Sequence, residues 1–315
     1  MTPRRIIIDT DPGVDDALTI LLALASPEIE LEALTTTQGN VTIENATRNA
    51  LSVLELGGVE KIPVAGGSSM PLVQPPRASV LVHGRTGLGR SNLPDPKGKP
   101  LSMHAVDFLI ERFLSEPGEL SLFAIGPLTN LALAIRKEPR FTESVRELVI
   151  MGGAIREGGN VTPLAEFNIY VDPHAAHIVF HSGIPITLIP LDVTHKCILN
   201  QAHIDRMARI ASPVSSFITD AVEDYMKISL EWGQEGCALH DPLTLATIIA
   251  PDLLTLRECA VDVDISTGVS MGKTFADFTN RAGKSANMKV AMEVRGGEFI
   301  DLFLQRMENL SRAVL

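Results

Sequence analysis

Short apolar segments of strand length alternate along the chain with longer segments of helical spacing, and this alternation limits the possible fold more than any other feature. The strand-like segments are Ile6–Ile8, Leu31–Leu34, Leu120–Ile125, Leu148–Met151 and Ile186–Leu191. The helical segments are Ile43–Leu56, Met103–Leu114, Leu128–Arg136, Pro173–His181, Ser212–Trp232 and Pro242–Ile249. This alternation predicts an α/β protein with a mostly parallel central sheet and helices on both faces. Ligand sites in such proteins form at the C-terminal ends of the strands.

The last part of the chain follows a different pattern. Its strand-like segments are Val261–Ile265, Met271–Phe278 and Met288–Val294. They predict a small antiparallel appendage, and an amphipathic helix over Phe299–Leu310 closes the chain. No internal repeat or charged linker divides the sequence, so we predict a single domain over residues 1–315. Residues 66–100 and 152–163 are rich in Gly or Pro and predict long loops, which often act as lids or binding surfaces.

Composition and charge exclude several classes of protein. The 315 residues carry a net charge of −11, which argues against nucleic-acid phosphates or an anionic membrane as partners. The three cysteines, Cys197, Cys237 and Cys259, are far apart and odd in number, which indicates a reducing compartment. Only three isoleucines follow the basic start of the chain, too few for a signal peptide, and no apolar stretch reaches membrane-spanning length. We therefore expect a soluble, cytoplasmic protein.

Four aspartates lie within eight residues directly after the first apolar segment, in Asp9-Thr-Asp-Pro-Gly-Val-Asp-Asp16. Asp9 and Asp11 are two apart at the end of a predicted strand, so their side chains point the same way. A Pro-Gly turn then leads into a helix over residues 15–25, whose first turn holds Asp15 and Asp16 at the positive end of the helix dipole. An ordinary acidic helix cap is one interpretation of this pattern.

A bound cation is the other interpretation. Two like charges 4 Å apart repel by about 4 kcal/mol at an effective dielectric constant of ~20. Four carboxylates in one turn therefore require a cation, protonation of some members, or a splayed and solvated loop. Because neither cysteine nor histidine lies nearby in sequence, carboxylate oxygens favour calcium or magnesium over zinc.

Two other patterns resemble known motifs without satisfying them. The segment Gly268-Val-Ser-Met-Gly-Lys-Thr274 has three residues between its glycines where a phosphate-binding loop needs four. His174, His177 and His181 share one face of a predicted helix and could bind zinc. No carboxylate is evident in register with them, so the sequence favours a packed or solvent-facing stripe.

Three further segments place polar groups where a ligand could meet them. Glu166 and Asn168 are two apart, so in an extended segment they would share a face, suited to sugar hydroxyls or simply turned to water. His240 and Asp241 precede a predicted helix, which suits an acid beside a metal ligand and equally suits the start of a helix. A predicted strand ends at Ile125 in a Gly-Pro turn that exposes a backbone carbonyl.

Together these motifs resemble the inosine-uridine-preferring nucleoside hydrolase family from end to end. Seven motifs carry the resemblance: Asp9-Thr-Asp-Pro-Gly-Val-Asp-Asp16, Thr37-Gln-Gly-Asn40, His83-Gly84, Gly126-Pro-Leu-Thr-Asn130, Met151-Gly-Gly153, Ala165-Glu-Phe-Asn168 and His240-Asp-Pro242. The first is highly specific, and seven in the same order leave little room for chance. The resemblance implies hydrolysis of the N-glycosidic bond of ribonucleosides to ribose and free base. It also implies a homodimer or homotetramer that serves nucleoside salvage or catabolism.

The resemblance further implies a role for each matching residue. The calcium ligands would be Asp11, Asp16, Asp241 and the backbone oxygen of Ile125. The substrate contacts would be Asp15, Asn40, His83, Met151, Asn160, Glu166 and Asn168, with His83 and His240 near the base and Asp9 supporting the cluster from behind. The catalytic residues would be Asp11, which deprotonates a calcium-activated water, and His240, which protonates the leaving base.

The chemistry of the reaction agrees with this choice of residues. N-glycosidic hydrolysis passes through a ribosyl cation-like state, so carboxylates and amides around the sugar stabilise the developing charge. A positioned acid contributes roughly 10²–10⁴-fold in rate, or about 3–5 kcal/mol. Tyr225 and Trp232 are the nearest aromatic residues in sequence and either stack on the base or pack in a helix core. The sequence does not indicate which base is preferred.

Two other functions share parts of the pattern. A phosphotransferase of the haloacid-dehalogenase type also ends a strand in Asp-x-Asp and would use Asp9 as nucleophile with magnesium. The continuation over residues 12–16 differs from that class, and no convincing downstream lysine and acidic pair is found. A non-catalytic binder of nucleoside or ribose would keep the pocket without the chemistry, but the presence of Asp11, His240 and Asp241 argues against it.

Overall fold

A nine-stranded sheet forms the centre of the computed structural model, which describes residues 2–314. The strands of this sheet are β1 (Arg4–Thr10), β2 (Ile29–Thr36), β3 (Val64–Gly66), β4 (Ser121–Ala124), β5 (Glu147–Met151), β6 (Ile186–Ile189), β9 (Leu254–Val263), β10 (Thr274–Asp277) and β11 (Met288–Val294). Their spatial order is β10-β9-β11-β6-β5-β4-β1-β2-β3. Two short strands, β7 (Ile198–Leu199) and β8 (Cys237–Ala238), form a separate antiparallel pair.

Helices follow most of the strands. They are α1 (Val14–Leu24), α2 (Ile43–Leu56), α3 (Val80–His83), α4 (Ala105–Ser115), α5 (Thr129–Lys137), α6 (Phe141–Ser144), α7 (Phe167–Val171), α8 (Pro173–Phe180), α9 (Leu191–Thr194), α10 (Gln201–Ala208), α11 (Pro213–Glu231), α12 (Ala246–Ile249) and α13 (Gly296–Ala313). Short 3₁₀ helices cover Asp241–Leu245 and Pro251–Leu253. No helix among residues 2–314 is both long enough and apolar enough to cross a membrane.

The sheet separates two apolar layers. Ile6 and Ile8 of β1 face one layer and Ile7 faces the other, as alternation along a strand requires. All three are fully buried. The first layer includes residues of α1, α2, α11 and α13, and the second includes residues of α4, α5 and α8. The predicted α/β class, with a mostly parallel sheet between helices, is confirmed.

The C-terminal strands extend the central sheet at one edge. Strand β11 pairs parallel to β6 and antiparallel to β9, and β9 pairs antiparallel to β10. The predicted antiparallel strands are therefore present and hydrogen-bonded to the parallel part of the sheet. Met1 and Leu315, the ends of the predicted 1–315 unit, lie outside the described residues.

Several predicted boundaries shift for local reasons. The strand predicted to run to Leu191 ends at Ile189, because Pro190 cannot donate to the sheet and α9 begins at Leu191. The helix predicted over Pro242–Ile249 divides into a 3₁₀ helix and the short α12. The segment predicted as a long loop over residues 66–100 contains the one-turn helix α3.

Candidate active site

The C-terminal ends of the parallel strands meet at one edge of the sheet and form a pocket there. Asp9 pairs in register with Thr35 of β2 and Ala124 of β4, so the segments that follow β1, β2 and β4 leave the sheet side by side. Beside them is a cavity of about 370 Å³. Its lining contains ten of the predicted residues: Asp15, Asn40, His83, Ile125, Met151, Asn160, Glu166, Asn168, His240 and Asp241. The other two, Asp11 and Asp16, are fully buried.

Asp16 is held by the turn that joins β1 to α1. Its carboxylate accepts hydrogen bonds from the backbone N–H of Gly13 at 2.9 Å and from the Thr10 hydroxyl at 2.5 Å. The Asn40 side-chain amide donates a further bond at 3.0 Å. The Gly13 bond satisfies an N–H at the start of α1, as acidic residues at this position commonly do. The turn therefore positions Asp16 before any ligand is bound.

Asp11 is held from one side and free on the other. Its Oδ2 accepts a hydrogen bond from the backbone N–H of Asn40 at 2.5 Å. Its Oδ1 is buried and has no hydrogen-bond partner among residues 2–314. A side chain at Gly39 or Gly126 would collide with this carboxylate, because a Cβ atom built there would lie 1.9 Å from Oδ2 or 2.7 Å from Oδ1. An unpaired buried carboxylate oxygen of this kind requires a partner such as a cation.

Three other carboxylates converge next to Asp11. One oxygen each from Asp15, Asp16 and Asp241 lies within 4.8 Å of the others. Burial, followed by the charge of Asp16, raises the pKa of Asp15 to about 7. Burial and the charges of the neighbouring aspartates raise the pKa of Asp241 well above its usual range. The same two causes raise the pKa of Asp11. Such carboxylates bind protons or a cation, and their hard oxygen donors suit Ca²⁺ or Mg²⁺.

The sequence-based prediction assigned the aspartates of this cluster to different roles. It assigned Asp11, Asp16 and Asp241 to the metal and Asp15 to the sugar, whereas the three-carboxylate group contains Asp15 in place of Asp11. Asp15 also lines the cavity. The metal-ligand assignment of Asp11 stays a prediction, supported by its unpaired Oδ1 atom.

Glu166 and Asn168 belong to the start of helix α7. The segment is not extended, so the shared face considered for an extended segment does not apply. Glu166 is the N-cap residue, and its carboxylate accepts bonds from the N–H groups of Asn168 at 2.8 Å and Ile169 at 3.1 Å. Burial raises the pKa of Glu166. The Asn168 amide donates to the backbone oxygen of Ile125 at 2.9 Å, the same oxygen predicted to bind the metal. Both side chains still line the cavity.

Two histidines also line the cavity, and the His83 Nδ1 atom lies 4.0 Å from a carboxylate oxygen of Asp15. The ring nitrogen Nδ1 of His83 accepts a hydrogen bond from the Val14 N–H at 3.1 Å, and burial lowers the pKa of His83 to about 4. The Nδ1 atom of His240 lies 2.8 Å from the Thr194 hydroxyl. Burial, with the nearby rings of His195 and His83, lowers the pKa of His240 to about 3. Both imidazoles are therefore neutral at pH 7.

Further lining residues were missed or left undecided by the sequence. His195 lines the cavity with its ring centre 5.6 Å from that of His240, and Arg77 and Gln234 line it from exposed segments. The only available signal for His195 was its position shortly after a predicted strand. Tyr225 and Trp232 both line the cavity. The Tyr225 hydroxyl donates to the Ala238 carbonyl at 3.2 Å, whereas Trp232 is 55% exposed.

Asp9 is not placed as a nucleophile would be. It is fully buried, and its Oδ1 accepts hydrogen bonds from the Thr35 hydroxyl at 2.5 Å and the Asn130 amide at 2.9 Å. Burial raises the pKa of Asp9 to about 7. It is absent from the described residues that line the cavity. This arrangement favours the supporting role predicted for Asp9 over a phosphotransferase nucleophile.

The fold and the pocket together define an α/β enzyme with a small-molecule site: buried carboxylates and amides converge on a cavity at the C-terminal edge of the parallel sheet. The chain belongs to the inosine-uridine preferring nucleoside hydrolase family, whose model matches residues 6–301. It is a ribonucleoside hydrolase, and the predicted family is confirmed.

Individual relatives cover almost the whole chain. A protein described as pyrimidine-specific ribonucleoside hydrolase RihA, from Photobacterium profundum, is 41% identical over 97% of this chain and 99% of its own. A purine-preferring ribonucleoside hydrolase from Gardnerella vaginalis matches in structure with a TM-score of 0.93 at 35% identity, over 98% of this chain and 100% of that chain. The plant nucleoside hydrolase PpNRh1 matches with a TM-score of 0.92 at 36% identity, over 97% and 99%.

Proposed function

We propose that this ribonucleoside hydrolase uses calcium, held by Asp11, Asp16, Asp241 and the backbone oxygen of Ile125, to cleave the N-glycosidic bond. The observation that carries the proposal is the buried convergence of carboxylates at the C-terminal edge of the sheet. Within residues 2–314, the unpaired Oδ1 atom of Asp11 supports a cation beside them. Calcium accepts six to eight oxygen ligands, which leaves room for Asp15, water and a sugar diol. When bound, it supplies a positive charge that orients hydroxyl groups and makes a water more acidic.

Polar side chains line the side of the cavity where we expect the ribose to bind. Asn40, Glu166 and Asn168 are buried residues whose positions are set by hydrogen bonds to neighbouring backbone or carboxylate groups. The side-chain oxygen of Asn160 accepts a hydrogen bond from the Phe167 N–H at 2.9 Å. Met151 contributes an apolar surface to the same wall. Carboxylates and amides fixed in this way stabilise the positive charge that develops on the sugar.

Different residues would activate the attacking water and assist the departure of the base. With a cation beside it to favour its ionised form, the Asp11 carboxylate would accept the proton of the attacking water. His240 also lines the cavity, and we infer that it lies beside the departing base. Because its pKa is about 3 without ligand, His240 would act as a neutral N–H donor to the departing base rather than as a preformed imidazolium. With the ring proton on Nε2, the Thr194 hydroxyl would donate a hydrogen bond to Nδ1 and hold the ring orientation.

We also propose that pyrimidine ribonucleosides are the preferred substrates. The support is that relatives described as pyrimidine-specific, at 41% and 40% identity, match this chain over 97% and 96% of its length.

Measuring kcat/KM for reducing-sugar release from uridine, cytidine, inosine and adenosine tests the reaction and the base preference together. The same preparation is analysed for bound metal and assayed after exhaustive chelation and calcium addition. We expect calcium-dependent turnover, with uridine or cytidine above inosine. Binding without turnover would instead support a nucleoside-binding protein, and full activity after chelation would overturn the calcium proposal. Turnover of 2′-deoxyribonucleosides at the rate of ribonucleosides would contradict recognition of the sugar diol.

The compartment and assembly are further proposals. The three cysteines Cys197, Cys237 and Cys259 are buried and unpaired, which supports the predicted reducing, cytoplasmic location. The predicted homodimer or homotetramer is tested by sedimentation equilibrium of the purified chain.

A further inference from the structure

The histidine stripe of helix α8 meets a carboxylate outside the lining of the active-site cavity. His177 and His181, which lie on the helix and at its C-cap, approach Asp262 of strand β9. One ligand atom from each of these three residues lies within 4.8 Å of the others. The sequence showed no carboxylate in register with the histidines, because Asp262 comes from a distant strand. The packing of α8 against β9 supplies the missing group.

The ring nitrogens are oriented toward this carboxylate. The His181 Nδ1 atom lies 2.9 Å from the His177 carbonyl oxygen, and because a carbonyl only accepts, this nitrogen carries the proton. Its Nε2 atom, 3.8 Å from the Asp262 Oδ2 atom, then holds a free lone pair. Such an N–H bond to a backbone carbonyl is the usual way to orient a metal-binding imidazole.

His177 presents the second nitrogen. Its Nδ1 atom lies 3.4 Å from the Asp262 Oδ1 atom. The same atom is buried and has no hydrogen-bond partner among residues 2–314. The rings of His177 and His181 lie 4.4 Å apart between centres. Two imidazoles and a carboxylate thus enclose a small space with an unsatisfied nitrogen facing it.

The spacing fits a tetrahedral cation. Zinc binds nitrogen and carboxylate oxygen at about 2.0–2.2 Å, so neighbouring ligand atoms of a tetrahedral site lie roughly 3.3–3.5 Å apart. The separations of 3.4 Å from His177 Nδ1 to Oδ1 and 3.8 Å from His181 Nε2 to Oδ2 are close to this spacing, so side-chain rotations would let one ion take both nitrogens and one or both oxygens of Asp262. The histidine side chains are each 42% exposed, which leaves a fourth position open to water.

We propose that His177, His181 and Asp262 form a second metal site, for zinc or a similar borderline divalent cation, that links the end of α8 to β9. Imidazole ligands suit this class of ion, whereas the oxygen-only cluster of the active site suits calcium. The two sites therefore differ in ligand type as well as position.

Lys284 is the competitor for the same carboxylate. Its ammonium group lies 3.1 Å from the Asp262 Oδ2 atom, and its side chain is 60% exposed, so it is free to withdraw. Burial opposes ionisation of Asp262, but the hydrogen bonds from the Val263 N–H and Lys284 outweigh it and lower the pKa of Asp262. The carboxylate is therefore charged and ready to bind a cation at neutral pH. Removing the lysine charge should strengthen metal binding.

Equilibrium dialysis of the full chain against Zn²⁺, with saturating Ca²⁺ to occupy the active-site carboxylates, tests the proposal. We expect one equivalent of zinc on the wild type, and a loss of affinity of roughly tenfold or more for H177A, H181A or D262N. The controls H174A, on the same helix, and E258Q, on the same strand, should bind like the wild type. K284Q should bind several-fold more tightly.

Thermal unfolding separates loss of binding from loss of fold. Zinc should raise the midpoint of the wild type and both controls but not of D262N, whereas all variants should melt near the wild-type temperature without zinc. Zinc binding that is equal in D262N and wild type, or absent from the wild type at micromolar concentration, would overturn the proposal. Loss of binding in H174A equal to that in H177A would contradict the three-residue assignment.

Discussion

At the scale of single residues, the buried aspartates of the active site carry negative charge when they ionise, and a cation or protons must balance that charge. Asp11, Asp15 and Asp241 all have raised pKa values, with burial as the largest cause. An aspartate in an unfolded chain has a pKa of about 3.9. Since the folded pKa values are higher, the contribution of these groups to stability is fully present below pH ~4 and is lost as the pH rises through their folded values, about 7 for Asp15.

Calcium should therefore stabilise the protein more as the pH rises. Ionised carboxylates bind the cation, and protons compete with it below the folded pKa values. We expect the calcium-induced increase in the unfolding midpoint to grow between pH 5 and pH 8 for the wild type. In D241N the increase should be small at every pH, while D252N, an exposed aspartate, serves as the control. A calcium effect that did not change with pH would show that these carboxylates are not the ligands.

A second prediction at this scale concerns His240. If it donates to the leaving base, H240A should lower kcat for uridine by roughly 10²–10⁴-fold but leave a nitrophenyl riboside, whose leaving group needs no proton, nearly unaffected. T194V, which removes the hydroxyl 2.8 Å from Nδ1, should show the same selectivity with a smaller loss. Equal losses of H240A on both substrates would assign His240 to sugar positioning or to the fold.

Most individual site residues were predictable because they belong to contiguous motifs. Asp11, Asp16 and Asp241 stood out in local sequence patterns, whereas Asn40 was added by the resemblance to the family, and their roles stay predictions. His195 and Arg77 were not identified, because a single residue brought in by tertiary packing leaves no local pattern. The same reason hid Asp262, whose neighbours in space come from another part of the chain.

At the scale of elements, the turn after β2 illustrates how backbone shape controls the chemistry. A Cβ atom at Gly39 would lie 1.9 Å from the Asp11 Oδ2 atom and 2.8 Å from the Pro127 ring. We expect G39A to lose about 1–3 kcal/mol of stability, as overpacked interiors do, and to bind calcium at least tenfold more weakly. Calorimetric titration and chemical denaturation measure the two effects. G268A is the matched control, since no heavy atom of the described residues lies within 4 Å of its new Cβ.

Elements were predictable where a repeated pattern extends over several residues. Strands β1, β4 and β5 and helices α2 and α11 show such patterns, and the structure contains each of them. The pair β7 and β8 has two residues per strand, too few for alternation to be recognised. Helix α7 was not predicted, because its five residues, which follow the N-cap Glu166, are too few to show a clear helical period.

At the scale of the whole molecule, the two ends of the chain share one apolar layer. Phe299 and Phe303 of α13 are fully buried in the same cluster as Ile6 and Ile8 of β1. The sequence predicts a single domain over residues 1–315, and we propose that this domain unfolds as one unit. F303A should lose about 3–5 kcal/mol, seen as one transition shifted to lower temperature, with the calorimetric and van't Hoff enthalpies remaining equal. Two separate transitions, with calcium shifting only one of them, would contradict a single unit.

The pocket has a deeply buried floor and a rim of exposed residues, and this division has a consequence for laboratory evolution. The aspartates of the floor are also part of the interior, so variation there endangers folding and sugar binding together. Arg77, Trp232 and Gln234 lie on exposed segments of the rim, where most substitutions alter stability by only about 0.5 kcal/mol or less. A combinatorial library confined to these three positions can therefore explore new nucleobases while the hydrolytic machinery is left intact.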